Sequence, residues 1–208
     1  MLVLIAVLLA LPNSVFASQI EPAPIMQEVS VAQTIPDVPF YSQFKDIQSP
    51  KWQKVGCGVT SLAMVINYYK PETVSVNALL KRGVAAGAYA PNAGWIYAGL
   101  ISLSHKYGLD GTYYDLSKLD TETAFGRLQD ILKEGPVILA VHYKFDPKST
   151  IPHLVVINGI KDGVVYYNDP AAKVGEKQIS VENFLKAWKK KVIAIRPVKV
   201  SSTVAVAR

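Results

Sequence analysis

The sequence predicts an α+β domain in which a helical first half packs on a C-terminal antiparallel sheet. Three observations carry that prediction. Apolar residues recur at helical spacing up to about Lys133, beyond Gly135-Pro136 the pattern changes to short β-branched and aromatic runs, and those runs are separated by Gly, Asp and Pro. The 208 residues are 50% hydrophobic and 18% charged, the composition of one globular domain, which excludes a disordered or collagen-like chain. No internal repeat of solenoid length is present. With one Cys the chain has no intrachain disulfide framework, and one Cys with three His cannot supply the paired ligands of a structural zinc site.

Residues 1–17, MLVLIAVLLALPNSVFA, carry no charge, run apolar for their first eleven positions, break at Pro12 and end in a small-x-small pattern, Val15-Phe16-Ala17. They read as a signal peptide, with an uncleaved membrane anchor as the alternative; a spanning helix needs about 20 apolar residues. Residues 18–35 are polar, hold two prolines and show no period, as a linker or short pro-segment would. The domain is expected over 36–198, followed by a tail at 199–208.

Within the domain, Val59, Leu62, Ala63, Val65, Ile66 and Tyr69 fall at helical spacing over Gly58–Tyr69, and Pro71 forbids continuation. Ser75–Ala86, Gly94–Tyr107 and Asp120–Lys133 are the next helical stretches, each with a Gly or Pro stop nearby. Strands follow at Val137–Val141, His153–Ile157 and Val164–Tyr167, with a tight turn at Lys161-Asp162-Gly163 between the last two. A helix over Val181–Lys190 and a strand over Val192–Arg196 close the domain.

The chemistry lies where these elements begin. Cys57 stands between Gly56 and Gly58 at the expected start of a helix, where unpaired backbone N–H groups and the helix dipole favour a thiolate. A lone Cys is more often a small core hydrophobe, so its partners must decide. A cysteine nucleophile needs a base and a group that orients the base. Of the three histidines, His105 sits within a helical stretch and His142 lies one residue out of step with Val137, Leu139 and Val141. His153 follows Pro152 at the mouth of a strand, from which a side chain can reach into a cleft, and is preferred to His142. Asp169, in Tyr167-Asn168-Asp169-Pro170, ends the neighbouring strand, and adjacent antiparallel strands can join the two.

Four blocks in order, Val38-Pro39-Phe40-Tyr41-Ser42-Gln43, Gly56-Cys57-Gly58-Val59-Thr60-Ser61-Leu62-Ala63-Met64-Val65 with Asn67-Tyr68-Tyr69, His153-Leu154-Val155-Val156-Ile157-Asn158-Gly159, and Asn168-Asp169-Pro170, resemble a known family. The resemblance is to the stand-alone branch of the bacteriocin-processing, double-glycine type of papain-like cysteine peptidases, and it covers roughly residues 36–196. It implies a papain-like fold with Cys57 as nucleophile, His153 as general base and acid, Asp169 as the residue that orients His153, and no cofactor. In that family a Gln six residues before the Cys stabilises the oxyanion, a position occupied here by Lys51. Gln43, Gln48 and Gln53 are near, and Gln43 is preferred because it ends the Pro-x-Tyr-Ser-Gln block.

The resemblance implies a cysteine peptidase acting on a peptide or protein, and the signal peptide adds the expectation that it is secreted or associated with the cell envelope. Alternatives are a cell-wall peptide amidase or endopeptidase using the same triad, and a non-catalytic peptide-binding module on the same fold. No Walker phosphate loop accompanies the chain, which speaks against the leader-processing role of relatives fused to an export ATPase. The net charge of +6 is too little to indicate nucleic-acid binding. Lys186, Lys189, Lys190 and Lys191 with Trp188 are expected to form a basic end of the last helix. That end could touch an anionic cell envelope, the plainer reading being a solvated helix face.

Overall fold

The computed structural model describes residues 34–91 and 93–199. The expected signal peptide, most of the expected linker and most of the expected tail lie outside the described residues.

The chain runs α1 (Gln43–Asp46), α2 (Pro50–Gln53), α3 (Cys57–Tyr69), α4 (Val76–Ala85), β1 (Tyr89–Ala90), β2 (Gly94–Trp95), α5 (Tyr97–His105), β3 (Leu109–Asp115), α6 (Thr121–Leu132), β4 (Val137–His142), a 3-10 turn (Tyr143–Phe145), β5 (Pro152–Lys161), β6 (Val164–Asn168), β7 (Lys177–Ser180), α7 (Val181–Ala187) and β8 (Trp188–Pro197). β1 and β2 form a small hairpin, and the other six strands make one antiparallel sheet in the order β3-β8-β4-β5-β6-β7.

Both faces of the sheet are covered, which explains its apolar runs. In β4, Ile138 and Ala140 enter one core with α3, α4 and α5, while Val137, Leu139 and Val141 enter a second with α6 and α7. A strand buried on both faces reads as a continuous hydrophobic run rather than an alternation. Fully burying each Val, Leu or Ile contributes about 1.5–3 kcal/mol. α3 is buried at every residue from Gly58 to Asn67, as a helix enclosed on all sides must be. Ser61 Oγ of α3 donates to the Leu154 carbonyl of β5 at 3.2 Å, a buried link between the central helix and the sheet.

Side-chain caps set several helix starts: Ser75 accepts from the Ala78 N–H for α4, Asp120 from Thr123 for α6, and Ser180 from Asn183 for α7. The expected turn is present, with Asp162 and Gly163 both at positive φ (50° and 74°) between paired Lys161 and Val164.

Three expectations are corrected. The helix expected from Gly94 starts at Tyr97, because Gly94-Trp95 pairs with Tyr89-Ala90. The last helix ends at Ala187, and Trp188–Lys191 belongs to β8, where pairing with β3 and β4 outweighs local helical preference. β3 and β7 were not anticipated; they are the sheet's two edges, half exposed and without an apolar run to announce them.

Candidate active site

Cys57 is the first residue of α3, and the glycines on either side of it are sterically required. A Cβ on Gly56 would stand 2.2 Å from Ile47 Cδ1 and 3.0 Å from the Trp52 carbonyl oxygen; one on Gly58 would stand 2.5 Å from Trp95 Cγ. Trp95 is itself fixed, its indole N–H donating to the Val55 carbonyl at 2.7 Å. The start of α3 is therefore seated against three side walls, with the thiol partly exposed.

His153 is the second residue of β5 and is 4% exposed. Its Nε2 lies 2.6 Å from Asp169 Oδ1, which also accepts the Ala171 N–H at 2.8 Å. With Nε2 engaged, Nδ1 is the nitrogen left for Cys57, which lines the same cleft. Burial is the largest single influence on the imidazole and disfavours its charge. The hydrogen bonds and negative charges of Asp169 and Cys57 together outweigh it, so that His153 is pushed up from 6.5 to about 9. Tyr143 packs edge-on against the ring, centroids 5.2 Å apart, and was not anticipated; it lies in a 3-10 turn that no sequence period marks.

Gln43 heads α1, is 4% exposed, and lines the same cleft as Cys57 and His153. Its backbone N–H donates to the Pro170 carbonyl at 2.8 Å, one residue from Asp169. Its Nε2 donates to the Gln53 carbonyl at 2.7 Å, which identifies the amide nitrogen and leaves that nitrogen a second proton. Gln53 is committed elsewhere: its Nε2 donates to the carbonyls of Ile47 (2.8 Å) and Phe44 (3.2 Å), and it does not line the cleft. Gln48 and Lys51 do not line it either. Between Gln43 and Cys57 the chain folds into the rest of α1 and then α2.

Asn168, fully buried, locks these parts together. Its Nδ2 donates to the Val38 carbonyl and its Oδ1 accepts the Glu176 N–H, both at 2.8 Å. The segment before Gln43 and the segment holding Asp169 are thus tied side by side. The other histidines do not line the cleft: His105 pairs with Asp110 at 2.9 Å on the surface, and His142 Nδ1 sits 2.6 Å from the Ser149 carbonyl.

The cleft, about 640 Å³, is walled by Trp95 and Tyr97 on the helical side and by Ala140, Pro152 and Leu154 on the sheet side. A thiol facing an imidazole whose far nitrogen is held by a carboxylate is suited to acyl transfer, with the carboxylate fixing the ring's orientation.

The sequence profile of the Peptidase_C39 like family matches residues 35–192. Among solved structures, the chain is similar to a double glycine motif protease from an AMS/PCAT transporter in complex with the leader peptide, at 26% identity over 80% of this chain and 96% of that one, TM-score 0.56. A C39-like peptidase from Bacillus anthracis shares the fold at 21% identity over 80% and 96% of the two chains, TM-score 0.56. So does the peptidase domain of Streptococcus ComA, a bi-functional ABC transporter, at 20% identity over 70% and 93%, TM-score 0.53. A comparison with curated proteins returns no match. The helices before the sheet, the Cys at the head of the central helix and the match over most of the chain agree: the chain belongs to the Peptidase_C39 like family and has the papain-like cysteine peptidase fold.

Proposed function

We propose that this protein is a cysteine peptidase that hydrolyses peptide bonds through Cys57, His153 and Asp169, exported by way of residues 1–17. The observation that carries the reading is the buried His153, held by Asp169 at 2.6 Å on one side and facing Cys57 on the other, in a cleft open to a peptide. The related double glycine motif protease was crystallised with a leader peptide, which supports a peptide as substrate here.

In this mechanism Cys57 Sγ, ionised by proton transfer to His153, attacks the substrate carbonyl carbon. The developing oxyanion takes hydrogen bonds from the Cys57 backbone N–H and from Gln43 Nε2. The tetrahedral intermediate collapses as the His153 imidazolium protonates the leaving amine, giving a thioester. Water, deprotonated by His153, then attacks the thioester and releases the acid, returning the proton to the Cys57–His153 pair. Asp169 keeps the imidazole ring turned so that one nitrogen serves this proton traffic.

The test is alkylation of Cys57 by a small haloacetamide at pH 6.5, together with turnover of a peptide library. Cys57→Ala should abolish turnover while leaving the circular dichroism spectrum unchanged. His153→Ala should slow alkylation at least ~10-fold, since only the thiolate reacts. Equal alkylation rates with and without His153 would sink the mechanism, and peptide binding without turnover would make the chain a binding module.

A further inference from the structure

We propose that the cleft selects peptides carrying a carboxylate close to the scissile bond, and that Lys191 and Lys189 recognise it. The proposal rests on the peptidase reading and names the substrate class of that site.

Among the described residues, those lining the cleft include Lys54, Lys189 and Lys191 and no Asp or Glu. Past Val55 and Tyr89, which line both, lies a second hollow of about 440 Å³ that holds Lys51 as well as Lys54 and, among the described residues, again no acidic one. Among the described residues, none of these four lysines forms an ion pair.

The sheet register places Lys191 beside the reacting groups. Lys191 of β8 is paired with Ala140 of β4, and Ala140 with Leu154 of β5, the residue after His153. Directly paired residues share a face, so Lys191, Ala140 and Leu154, all three lining the cleft, form one row across its wall with the small Ala140 in the middle. Two strand spacings amount to roughly 10 Å, which a substrate side chain one or two residues from the scissile bond can bridge with the help of the lysine's own length. On its other side Lys191 is paired with Asp115 of β3, whose carboxyl is held below its ordinary range mainly by hydrogen bonds from Ser117 (backbone N–H at 3.0 Å), with smaller contributions from the Tyr113 hydroxyl at 3.3 Å and the Lys191 charge; no ion pair joins the two side chains among the described residues, so the ammonium can still take a substrate carboxylate.

The backbone here departs from a regular strand. β8 is bulged against β4, with Val141 paired to Trp188 and Ala140 to Lys191, so that Lys189 and Lys190 are extra residues. Lys190 has φ 55°, a left-handed conformation unusual for a residue with a Cβ, and its Nζ turns away to the Leu119 carbonyl at 2.9 Å. Bulges re-aim side chains beside active sites. This one sends the middle lysine of three outward and leaves Lys189 and Lys191 in the cleft. Across about 6 Å at an effective dielectric near 20, a lysine and a carboxylate attract strongly enough for about 10- to 100-fold discrimination over a neutral side chain.

The experiment uses terminally blocked peptides differing only in Glu, Gln or Lys at each position flanking the scissile bond. Wild type should show kcat/KM at least ~10-fold higher for Glu than for Lys at one such position. Lys191→Glu should reverse that ratio, and Lys189→Gln with Lys191→Gln, a milder change should the charge reversal not fold, should bring it near one. The same peptides titrated onto Cys57→Ala measure the binding ratio without turnover. If alkylation shows a His153-dependent Cys57 but the Glu and Lys peptides are cut and bound alike, this inference is overturned and the peptidase reading survives. If Cys57 is unreactive yet the Glu peptide binds better through Lys191, the peptidase reading fails and the recognition stands. Peptides with a free C-terminus separate the sources: a preference present only there assigns the pocket to a chain-end carboxylate rather than to Asp or Glu.

Discussion

Cys57 and His153 face each other across one cleft but are held there in opposite ways. Around Cys57 the constraint is steric: Ile47, Trp52 and Trp95 come so close to Gly56 and Gly58 that neither position has room for a methyl group. Around His153 the constraint is polar and long-range, running through Asp169 to the Ala171 N–H, and through Asn168 and Pro170 to Val38 and Gln43. The comparison teaches what each side is sensitive to. Changes of volume near Cys57 should register as lost stability, whereas changes of polarity near His153 should register in rate and pH profile.

The largest effect is expected from the polar side. Gln43→Ala should lower kcat ~10²–10³-fold, the usual loss of an oxyanion donor. Gln53→Ala, which removes only bonds to the Ile47 and Phe44 carbonyls, should keep kcat within about tenfold and cost ~1 kcal/mol for each lost bond. Steady-state kinetics with urea denaturation of both variants tests the pair, and an equal loss of rate in the two would remove Gln43 from the mechanism.

On the steric side, Gly58→Ala should destabilise the fold by ~1–3 kcal/mol, because the added methyl meets the root of the Trp95 side chain and not a movable end. The alkaline limit of activity should stay where it is. A stable Gly58→Ala variant in thermal and urea melts would show that Trp95 yields more easily than the packing implies.

The smallest effect is a shift in pH profile. The folded protein raises His153 from 6.5 to about 9, so it favours the imidazolium. The associated stability is fully present below about pH 6.5 and is lost as pH rises through about 9, and the alkaline limb of kcat/KM should fall near 9. Asp169→Asn removes one of the two groups that raise the imidazole and should move that limb to lower pH by about one unit. A limb that stays at 9 in Asp169→Asn would leave Cys57 alone responsible for the shift.

Much of this arrangement was legible in the residues. The helical spacing of Val59–Tyr69, the Asp-Gly turn and the apolar runs of β4 and β5 are local patterns, and local hydrogen bonding and burial suffice to make them. Trp188–Lys191 was misread because four residues after a helix look helical until two neighbouring strands claim them. Tyr143 and Trp95 carried no readable signal, and the lysines of the bulge were legible as a basic cluster but not as part of the cleft, since their place there comes from pairing with a strand about fifty positions earlier.

The sequence alone determined the α+β class, the placement of Cys57 at the head of a helix, and the pairing of His153 with a carboxylate one strand away. Each depends on periodicity, a cap or the adjacency of consecutive strands. Only the tertiary structure decided which glutamine enters the cleft, because Gln43 and Gln53 differ not in type but in which carbonyls surround them. It also decided the sign of charge beside the reacting groups, because strand register sets Lys191 in one row with Leu154 through Ala140, across residues 37 positions apart.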